Sequence, residues 1–549
     1  MKKKIVIIGG VAVGASCAAR LRRLNEEDEI ILLEKDEHIS FANCGLPYFV
    51  GDVIKDRSNL IIETRESLKS RFNIDVRNFS EATKINREKK SVEVFNKQKN
   101  ESYDLSYDKL VLAMGASSIV PNFNGLEQAN NIFTLRTVPD SESIKEYVAK
   151  HDVKNAVVIG AGFIGLEAAE NLVEVGVKPT VLDLSSQVLN VVDEEIAKLV
   201  ENEMAEKGVN IKLETSVDTF KDEGKELLLT NGETIKTDLT IMAIGVKPNI
   251  KIAKEAGLEI GKTNGVKVDD FLITNDPDIY AGGDLIEVKN YITKEAALIP
   301  LAGPANRHGR LIADHINGIH TPTLGSLGSS VIKIFDKTVA STGLTEKAAL
   351  KANCNYKTIH IHRPNHATYY PGASMITLKL VFDVPTRKVL GAQAFGESGV
   401  EKRIDVIATA LKFCATVDDL AGLELTYAPP FSSAKDPVNI AGYAAGNVLN
   451  QDYIPFYIQE LDDLLEKKIQ FYDVRTVEEY DYGHIEGSKN FPLDDIRDNL
   501  DKIDFNKDIY ITCQVGHRGY LAAKLLKENG FSKKIYNLSG GYKLYKETR

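Results

Sequence analysis

The chain has 549 residues, 43% of them hydrophobic and 27% charged, which is the composition of a folded globular protein. This length exceeds what one hydrophobic core organises, so roughly three or four domains are expected. The formal net charge of −10 argues against a chain that binds nucleic acid as a whole. The apolar run before Gly9 is too short for a signal peptide or a membrane span, which predicts a cytoplasmic protein without a membrane partner.

The cysteines of the chain are few and widely separated: Cys17, Cys44, Cys354, Cys414 and Cys513. In a chain of this length such spacing does not indicate a disulfide framework, and it fits a reducing compartment. A functional cysteine is therefore expected to be catalytic rather than structural. No metal ion is expected.

The N-terminal segment has the pattern of a dinucleotide-binding βαβ unit. An apolar strand, Ile5–Ile8, leads into a glycine-rich turn and a helix, and the glycines are Gly9, Gly10 and Gly14. The amides of such a turn and the helix N-terminus hold a pyrophosphate. Glu34, 20 residues after Gly14, is placed to accept hydrogen bonds from a ribose. This copy is imperfect, because Val11 occupies the middle glycine position.

A second and complete copy of the pattern follows the strand Val157–Ile159. Its glycines are Gly160, Gly162 and Gly165, and its acid, Asp183, comes 18 residues after Gly165. A carboxylate here accepts a hydrogen bond from a ribose 2′-hydroxyl and repels a 2′-phosphate, which predicts NADH rather than NADPH.

Three further segments are predicted as strands that lead into glycine: Tyr107–Gly115, Leu239–Gly245 and Ile279–Asp284. The last of them ends in two glycines and an acid. This order resembles the two-dinucleotide flavoprotein disulfide reductase superfamily. The resemblance implies FAD in the first unit, with Gly283 and Asp284 at the flavin's ribityl and phosphate groups, and a nicotinamide cofactor in the second. It also implies an FAD-binding domain of residues 1–115 and 245–325 that encloses an NAD(H)-binding domain of residues 150–244.

The rest of the chain predicts two more domains. Residues 326–445 contain three strands with alternating polarity and a helix: Val331–Ile334, Ile376–Phe382, Val389–Phe395 and Arg403–Leu411. They match the α+β dimerisation domain of these reductases, so a homodimer is expected. Residues 446–455 are predicted as a linker. Residues 456–549 repeat a small α/β pattern: Gln470–Val474, Asp508–Thr512, the loop from Cys513 and the helix Leu521–Lys527. The predicted fold class is α/β, with two Rossmann-like dinucleotide-binding domains, an α+β dimerisation domain and a C-terminal α/β domain.

Cys44, in the segment Ser40–Tyr48, falls where the superfamily has its redox centre. Dithiol members have two cysteines separated by four residues, but Ile39 and Phe49 occupy the corresponding positions here. A single thiol therefore cycles through a sulfenic acid or a mixed disulfide. Attack on a sulfur–sulfur bond requires its thiolate, which a helix N-terminus or the flavin favours. The alternative is a buried structural cysteine.

The same segment closely resembles the coenzyme A disulfide reductases and NADH-dependent persulfide reductases, over residues 1–445. The resemblance implies that coenzyme A pairs with Cys44 and touches five other side chains: Ser40, Asn43, Arg20, Arg23 and Lys435. The two arginines match positions that hold adenosine phosphates, and their spacing by three places them on one helix face. A solvated basic face is the alternative.

Two motifs of the dimerisation domain also match the family, His366–Gly372 and Tyr427–Lys435. The resemblance implies a cofactor contact at His366 and implies that Tyr370 and Tyr427 reach the partner subunit's active site. A phenol there stabilises a departing thiolate. Simple packing of the dimer interface by both tyrosines is the alternative.

The tail resembles a rhodanese domain in three segments: Asp473–Arg475, Gly483–Ser488 and Cys513–Gly519. A cysteine at a strand-to-helix turn lies among backbone amides, and Arg518 adds positive charge, so an anionic persulfide is stabilised. Cys513 and Arg518 are separated by four residues, whereas related phosphatases have five, which favours sulfane sulfur over phosphate. A module used only for docking is the alternative.

Together these patterns predict an FAD- and NADH-dependent enzyme that reduces coenzyme A disulfide, coenzyme A persulfide or polysulfide through Cys44. Cys513 is predicted to carry sulfane sulfur toward that site. An NADH oxidase or peroxidase that uses Cys44 as a sulfenic acid is one alternative, and a non-enzymatic redox or sulfur sensor is another. The rhodanese-like tail and the basic face with Arg20 and Arg23 argue against the oxidase.

Overall fold

The computed structural model describes residues 2–549 and contains two compact units. The first consists of the residues up to Val188 together with Met204–Gly328, and the second of Leu189–Glu203 together with Ser329–Arg549. None of the helices in the described chain is both long and apolar enough to cross a bilayer.

The first unit contains a five-stranded parallel sheet with Lys4–Ile8 at its centre. In spatial order its strands are Ile279–Ala281, Lys109–Leu112, Lys4–Ile8, Glu29–Leu33 and Asp75–Arg77. The central strand consists mainly of buried isoleucine and valine, as expected for a parallel strand that is covered on both faces. The helix Ala12–Leu24 follows this strand and packs along the helix Ala302–Ile316.

A second five-stranded parallel sheet lies in the same unit. Its order is Asn210–Lys212, Lys178–Leu182, Asn155–Ile159, Leu239–Met242 and Ile132–Thr134. The helices beside it are Val138–Lys150 and Phe163–Glu174. The next helix, Glu194–Glu206, has its residues up to Glu203 in the second unit. In both sheets a glycine-rich turn follows the central strand, so each predicted nucleotide-binding turn lies at the carboxyl end of a parallel sheet.

Smaller elements complete this unit. The remaining helices are Leu46–Val50, Arg65–Phe72 and Lys251–Glu255. The two antiparallel three-stranded sheets are formed by Ser80–Asn86, Ser91–Asn96 and Glu101–Ser106, and by Val217–Lys221, Glu226–Leu229 and Thr234–Lys236. The two-stranded pairs are Ala116–Ser118 with Val246–Pro248, and Val288–Lys289 with Ala296–Ala297.

The second unit begins with an antiparallel five-stranded sheet. Its order is Ser330–Ile334, Lys337–Gly343, Val389–Gly396, Met375–Asp383 and Tyr356–Pro364. Its helices are Glu346–Lys351, Val400–Lys412, Val417–Gly422 and Pro437–Leu449. The last helix includes residues 446–449, which we predicted as part of a linker. Gly442 explains the close packing of this helix, since a Cβ there would lie 2.5 Å from the backbone nitrogen of Ala421.

A parallel five-stranded sheet forms the C-terminal part of this unit. Its order is Ile454–Phe456, Ile535–Leu538, Ile509–Thr512, Gln470–Asp473 and Lys489–Asn490. Its helices are Leu461–Glu466, Val477–Tyr482, His517–Glu528 and Gly541–Thr548. Pro455, the last residue of the predicted linker, lies inside the edge strand, where a missing backbone N–H is tolerated.

A buried cluster of charges joins the antiparallel sheet to the segment Leu189–Glu203. Lys379 is 0% exposed, and its ammonium lies 3.0 Å from an oxygen of Asp193 and 3.1 Å from one of Glu195. It also pairs with Glu346. One cation therefore compensates three carboxylates that are largely withdrawn from water.

We expect Lys379→Met to lower the free energy of unfolding by about 3–5 kcal/mol, because it leaves buried carboxylates without their cation. Urea unfolding followed by circular dichroism measures the effect. Lys337→Met is the matched control, since Lys337 pairs with the half-exposed Glu397, and an exposed pair contributes at most about 1 kcal/mol. Equal losses in the two variants would contradict the assignment.

Candidate active site

Cys44 is exposed and lies in a short 3₁₀ turn, Asn43–Gly45, that runs directly into the helix Leu46–Val50. The backbone N–H of Ser40 donates to the carbonyl of Gly10 at 2.9 Å. This bond anchors the cysteine segment to the glycine turn of the first nucleotide-binding unit. The segment that carries Cys44 is therefore held beside the first glycine turn.

Arg136 connects two of the predicted site residues. Its guanidinium donates to Asp284 at 3.1 Å, and its carbonyl accepts from the Asn43 side chain at 3.4 Å. A further bond to the carbonyl of Ala116, at 3.2 Å, fixes the guanidinium. The sequence analysis did not identify Arg136, because Asp284 is 148 residues away in the chain and no local motif marks the arginine.

The charged groups around Cys44 have opposite effects on the pKa of its thiol. Burial, Glu167 and Asp284 raise the pKa of the Cys44 thiol, whereas Arg136 lowers it, and the net direction is upward. The side chains of this unit therefore do not by themselves favour the thiolate that we predicted. A thiolate at neutral pH requires a further group beside the sulfur that prefers the anion.

Glu167 brings the second nucleotide-binding unit to the cysteine segment. It lies on the helix Phe163–Glu174 and accepts a hydrogen bond from the Tyr48 hydroxyl at 3.4 Å. Burial raises the pKa of Glu167 to about 7, so this carboxyl holds a proton near neutrality. Sequence analysis missed this residue, although it follows Gly165 by only two positions.

The first glycine turn fits a dinucleotide. A Cβ at Gly14 would lie 1.8 Å from the carbonyl oxygen of Gly9, so only glycine allows this approach of helix and strand. The Glu34 carboxylate accepts the N–H of Gly10 at 2.9 Å, which places it at the turn. At Gly283 the backbone N–H donates to Nδ1 of the buried His308 at 3.1 Å. These residues fit FAD, and His308 is a support that the sequence analysis did not identify.

The second glycine turn has the same construction. A Cβ at Gly165 would lie 1.8 Å from the carbonyl oxygen of Gly160, whereas one at Gly162 would meet no described atom within 4 Å and faces open space. Asp183 accepts the N–H groups of Ala161 and Ser185, each at 2.7 Å. A carboxylate fixed beside an open turn fits a nicotinamide dinucleotide.

The two arginines predicted to hold phosphates differ in their surroundings. Arg20 donates to Asp314 at 2.6 Å, so its charge is already balanced within the protein. Arg23 is exposed at the end of the same helix. Of the predicted pair, Arg23 has the guanidinium more available to an anion.

The two predicted tyrosines, Tyr370 and Tyr427, have different neighbours. The hydroxyl of Tyr427 lies 2.6 Å from that of Tyr369, and Tyr370 instead packs its ring against His366. His366 is buried and bonds to the carbonyl of Pro371 at 3.3 Å, so it orders this loop. Both Tyr369 and Tyr427 are exposed, which presents the phenol pair to solvent or to another chain. The motif contains adjacent tyrosines, and only the tertiary structure distinguishes them.

Cys513 follows the strand Ile509–Thr512 and is fully buried. Its sulfur accepts the backbone N–H of Gly519 at 3.4 Å. Burial raises the pKa of the thiol, and it outweighs the amides of Gly519, Val515 and Gly516 and the charge of Arg518, which lower that pKa. The amide cradle predicted around this cysteine is therefore present.

Arg518 is not free to act on the sulfur alone. It donates two hydrogen bonds to Glu479, at 2.6 and 2.7 Å, and this pairing lowers the pKa of Glu479 to about 2. Glu479 was not identified from the sequence, although it also closes the capping box that starts at Thr476. On the neighbouring His517, burial and the positive charges of Arg363 and Lys435 lower the pKa. The predicted coenzyme A contact Lys435 thus lies near the Cys513 loop.

Comparison with known families matches three parts of the chain. Residues 3–309 match the pyridine nucleotide-disulphide oxidoreductase family, residues 329–437 its dimerisation domain, and residues 458–548 the rhodanese-like domain. These matches confirm the resemblance and the fold class predicted from the sequence.

Individual relatives agree with the family matches. Coenzyme A disulfide reductase of Staphylococcus aureus is 37% identical over 443 residues, which are 80% of this chain and 99% of that protein. The crystal structure of reduced Bacillus anthracis CoADR-RHD covers 100% of this chain and 98% of its own, at 48% identity and a TM-score of 0.98. The NAD-dependent persulfide reductase of A. fulgidus covers 99% of this chain and 100% of its own, at 36% identity and a TM-score of 0.92.

Proposed function

The chain belongs to the pyridine nucleotide-disulphide oxidoreductase family, and on that premise we propose that it is an NADH-dependent reductase of coenzyme A disulfide, coenzyme A persulfide or polysulfide. The family implies FAD and a nicotinamide cofactor, and the two glycine turns fit them. The observation that carries the proposal is the exposed Cys44 beside the first turn. Relatives named coenzyme A disulfide reductase and persulfide reductase support the substrate class.

The reaction starts at the Cys44 sulfur. Its thiolate attacks one sulfur of a coenzyme A disulfide, which breaks that bond, forms a mixed disulfide and releases one coenzyme A thiolate. With coenzyme A persulfide the leaving group is hydrosulfide. FAD, when bound, supplies the two electrons taken from NADH. Two-electron reduction of the mixed disulfide would restore the Cys44 thiolate and release the remaining coenzyme A thiol, so that sulfur would be reduced and NADH oxidised.

Residues around the cysteine orient the substrate and move protons. Asn43 and Arg136 fix the turn that carries the sulfur, and Ser40 ties it to the first glycine turn. Glu167 holds a proton near neutral pH and lies at Tyr48 in the same segment. In the homodimer that the dimerisation domain predicts, the exposed phenols of Tyr370 and Tyr427, the latter bonded to Tyr369, reach the partner subunit's active site and donate to the departing thiolate.

Coenzyme A is recognised by its phosphates and by its sulfur. Arg23 offers an exposed cation to the phosphates, and the sulfur pairs with Cys44. The family resemblance gives Lys435, which is also exposed, as a further contact of coenzyme A. Mass spectrometry of the purified protein tests this pairing directly. A mixed disulfide of coenzyme A on the peptide that contains Cys44, removed by NADH, is expected. Steady NADH oxidation with peroxide or oxygen and none with sulfur substrates would contradict the proposal.

The oxidase alternative has less support. The water-forming NADH oxidase of Lactobacillus brevis is 26% identical to this chain, covers 82% of it and has a TM-score of 0.79. The two relatives that cover the chain almost completely also include the C-terminal part with the rhodanese-like match. A peroxide or oxygen substrate gives that domain no role.

The C-terminal domain is proposed to feed sulfur to the reductase. The Cys513 thiolate attacks the outer sulfur of a sulfane donor, forms a persulfide and releases the donor's remaining anion. A coenzyme A thiolate then takes that outer sulfur and becomes coenzyme A persulfide, which restores Cys513. The amides of Gly519, Val515 and Gly516 stabilise the anionic persulfide.

NADH preference gives a further prediction. We expect Asp183→Ala to lower kcat/KM for NADH by about tenfold, because a charged acceptor for the ribose 2′-hydroxyl is lost. The kcat/KM for NADPH should rise or stay constant, since the carboxylate that repels its 2′-phosphate is gone. Initial rates with both nucleotides measure this, and Glu174→Ala, at the exposed end of the nearby helix, is the control. An unmodified protein that prefers NADPH would refute the role of Asp183.

A further inference from the structure

A tight turn packs against the loop that carries Cys513. This turn, Ser539–Gly541, joins the strand Ile535–Leu538 to the last helix. Directly after it, the N–H of Tyr542 donates to the carbonyl of Cys513 at 2.8 Å, and that of Lys543 to the carbonyl of Gln514 at 2.9 Å.

The contact between turn and loop leaves no spare room. A Cβ at Gly541 would lie 2.3 Å from the carbonyl oxygen of Cys513 and 2.9 Å from the backbone nitrogen of Val515, and Gly541 has a φ of +60°. A shift of the turn therefore moves the backbone of the sulfur-carrying loop with it.

Two buried histidines of the antiparallel sheet hold the same turn. On the strand Tyr356–Pro364, the backbone N–H of His360 donates to the Ser539 hydroxyl oxygen at 2.9 Å, and its ring Nδ1 lies 2.9 Å from that oxygen. His362 reaches the carbonyl of Gly540 through Nε2 at 3.1 Å, and its Nδ1 lies 2.9 Å from the hydroxyl of Thr377.

The partners determine which ring nitrogen carries the proton. A carbonyl only accepts, so Nε2 of His362 donates to Gly540 and its Nδ1 accepts from Thr377. A carboxylate oxygen of Glu195 lies 3.7 Å from Nε2 of His360 and favours the proton on that nitrogen, so Nδ1 accepts the hydroxyl proton of Ser539. Burial lowers the pKa of His360 to about 4 and that of His362 to about 3, which keeps both rings neutral at physiological pH.

We infer that His360 and His362 are positioning residues for sulfur transfer at Cys513. They fix the Ser539–Gly541 turn, and the turn keeps the loop amides directed at the sulfur. The dimerisation sheet is thus a structural part of the sulfur-transfer site. This inference rests on the proposed role of Cys513 as the sulfur acceptor.

His362→Phe in the full-length holoenzyme is the main test, because it keeps the ring volume and removes both hydrogen bonds. Transfer of sulfur from thiosulfate to cyanide should lose on the order of tenfold or more in kcat, since small displacements of reacting groups are costly. NADH-dependent reduction of ferricyanide, which does not use the Cys513 loop, should stay unchanged. The pH midpoint for alkylation of the Cys513 peptide by iodoacetamide should rise, because the amides no longer favour the thiolate.

Rescue and control variants separate positioning from general destabilisation. His362→Gln retains a donor for the carbonyl of Gly540 and should keep activity within about threefold of the unmodified protein. Thr358→Val, on the same strand, is the control: its buried hydroxyl has no hydrogen-bond partner among the described residues, and sulfur transfer should be unaffected. If His362→Phe does not fold, Ser539→Ala decides the matter, because it removes the hydroxyl that bonds to both the backbone N–H and the ring of His360.

The results of these experiments distinguish the positioning role of the histidines from the proposed sulfur transfer by the C-terminal domain. The positioning role alone is overturned if Cys513→Ala loses sulfur transfer while His362→Phe and Ser539→Ala keep normal transfer and a normal alkylation midpoint. Unchanged sulfur transfer in Cys513→Ala overturns the proposed function of the C-terminal domain, and the inference with it. The positioning role is supported if His362→Phe and Ser539→Ala both lose sulfur transfer and His362→Gln retains it.

Discussion

Cys44→Ser is expected to lower kcat/KM for coenzyme A disulfide by about a thousandfold or more, because the change removes the only sulfur nucleophile of the site. A serine hydroxyl is almost entirely protonated at neutral pH and forms no stable bond with the departing sulfur. NADH-dependent reduction of ferricyanide should persist, since both glycine turns are intact. Spectrophotometric NADH oxidation with each acceptor measures the two activities.

Cys354→Ser is the control for this prediction, since Cys354 lies in the second unit outside the predicted site and should tolerate the change. A Cys44→Ser enzyme that still reduces coenzyme A disulfide at a normal rate would refute the single-cysteine mechanism. Loss of ferricyanide reduction as well would indicate damage to the nucleotide-binding units and not to the chemistry alone.

Cys513→Ala is expected to abolish thiosulfate–cyanide sulfur transfer, with a loss of about a thousandfold or more, because no other thiol lies in the amide cradle. Reduction of coenzyme A disulfide should remain normal, since that substrate needs no sulfane acceptor. NADH oxidation driven by thiosulfate and coenzyme A should fall together with the sulfur transfer. Thiocyanate formation and NADH oxidation, measured on the same preparation, give both values.

Cys414→Ala is the control for the second prediction, because Cys414 is an exposed thiol of the same unit outside the loop. If Cys513→Ala lowered disulfide reduction as strongly as sulfur transfer, the division of labour between the two domains would be wrong. If neither activity changed, the C-terminal domain would serve for docking only, the alternative left open by the sequence.

Local patterns predicted the parts of this protein that depend on residues close in the chain. The glycines of both turns, together with Glu34 and Asp183, lie within single βαβ units, so spacing alone brings them together. The cysteine segment was recognisable for the same reason. The family resemblance and the fold class drawn from these motifs are confirmed, whereas the domain boundaries and the roles of individual site residues stay predictions.

Several parts of the candidate site depend on residues distant in sequence, and these were missed. Arg136 meets Asp284 across 148 residues, and Arg518 meets Glu479 across 39. The sequence also predicts no hydrogen-bond partner for Tyr427, and its pairing with Tyr369 depends on the direction of two neighbouring side chains in one loop. No periodicity or spacing encodes such choices, because they arise when separate elements pack.

The amino-acid sequence by itself determined the two nucleotide-binding turns, the isolated cysteine beside the first, and the cysteine loop of the tail, because each is specified by residues within one supersecondary unit. Only the tertiary structure decided which charges surround Cys44, which tyrosine meets Tyr427, and that histidines of one sheet hold the turn beneath Cys513. The physical reason is that hydrogen bonds and charge effects depend on distance in space, and packing brings together side chains whose separation in the chain carries no signal.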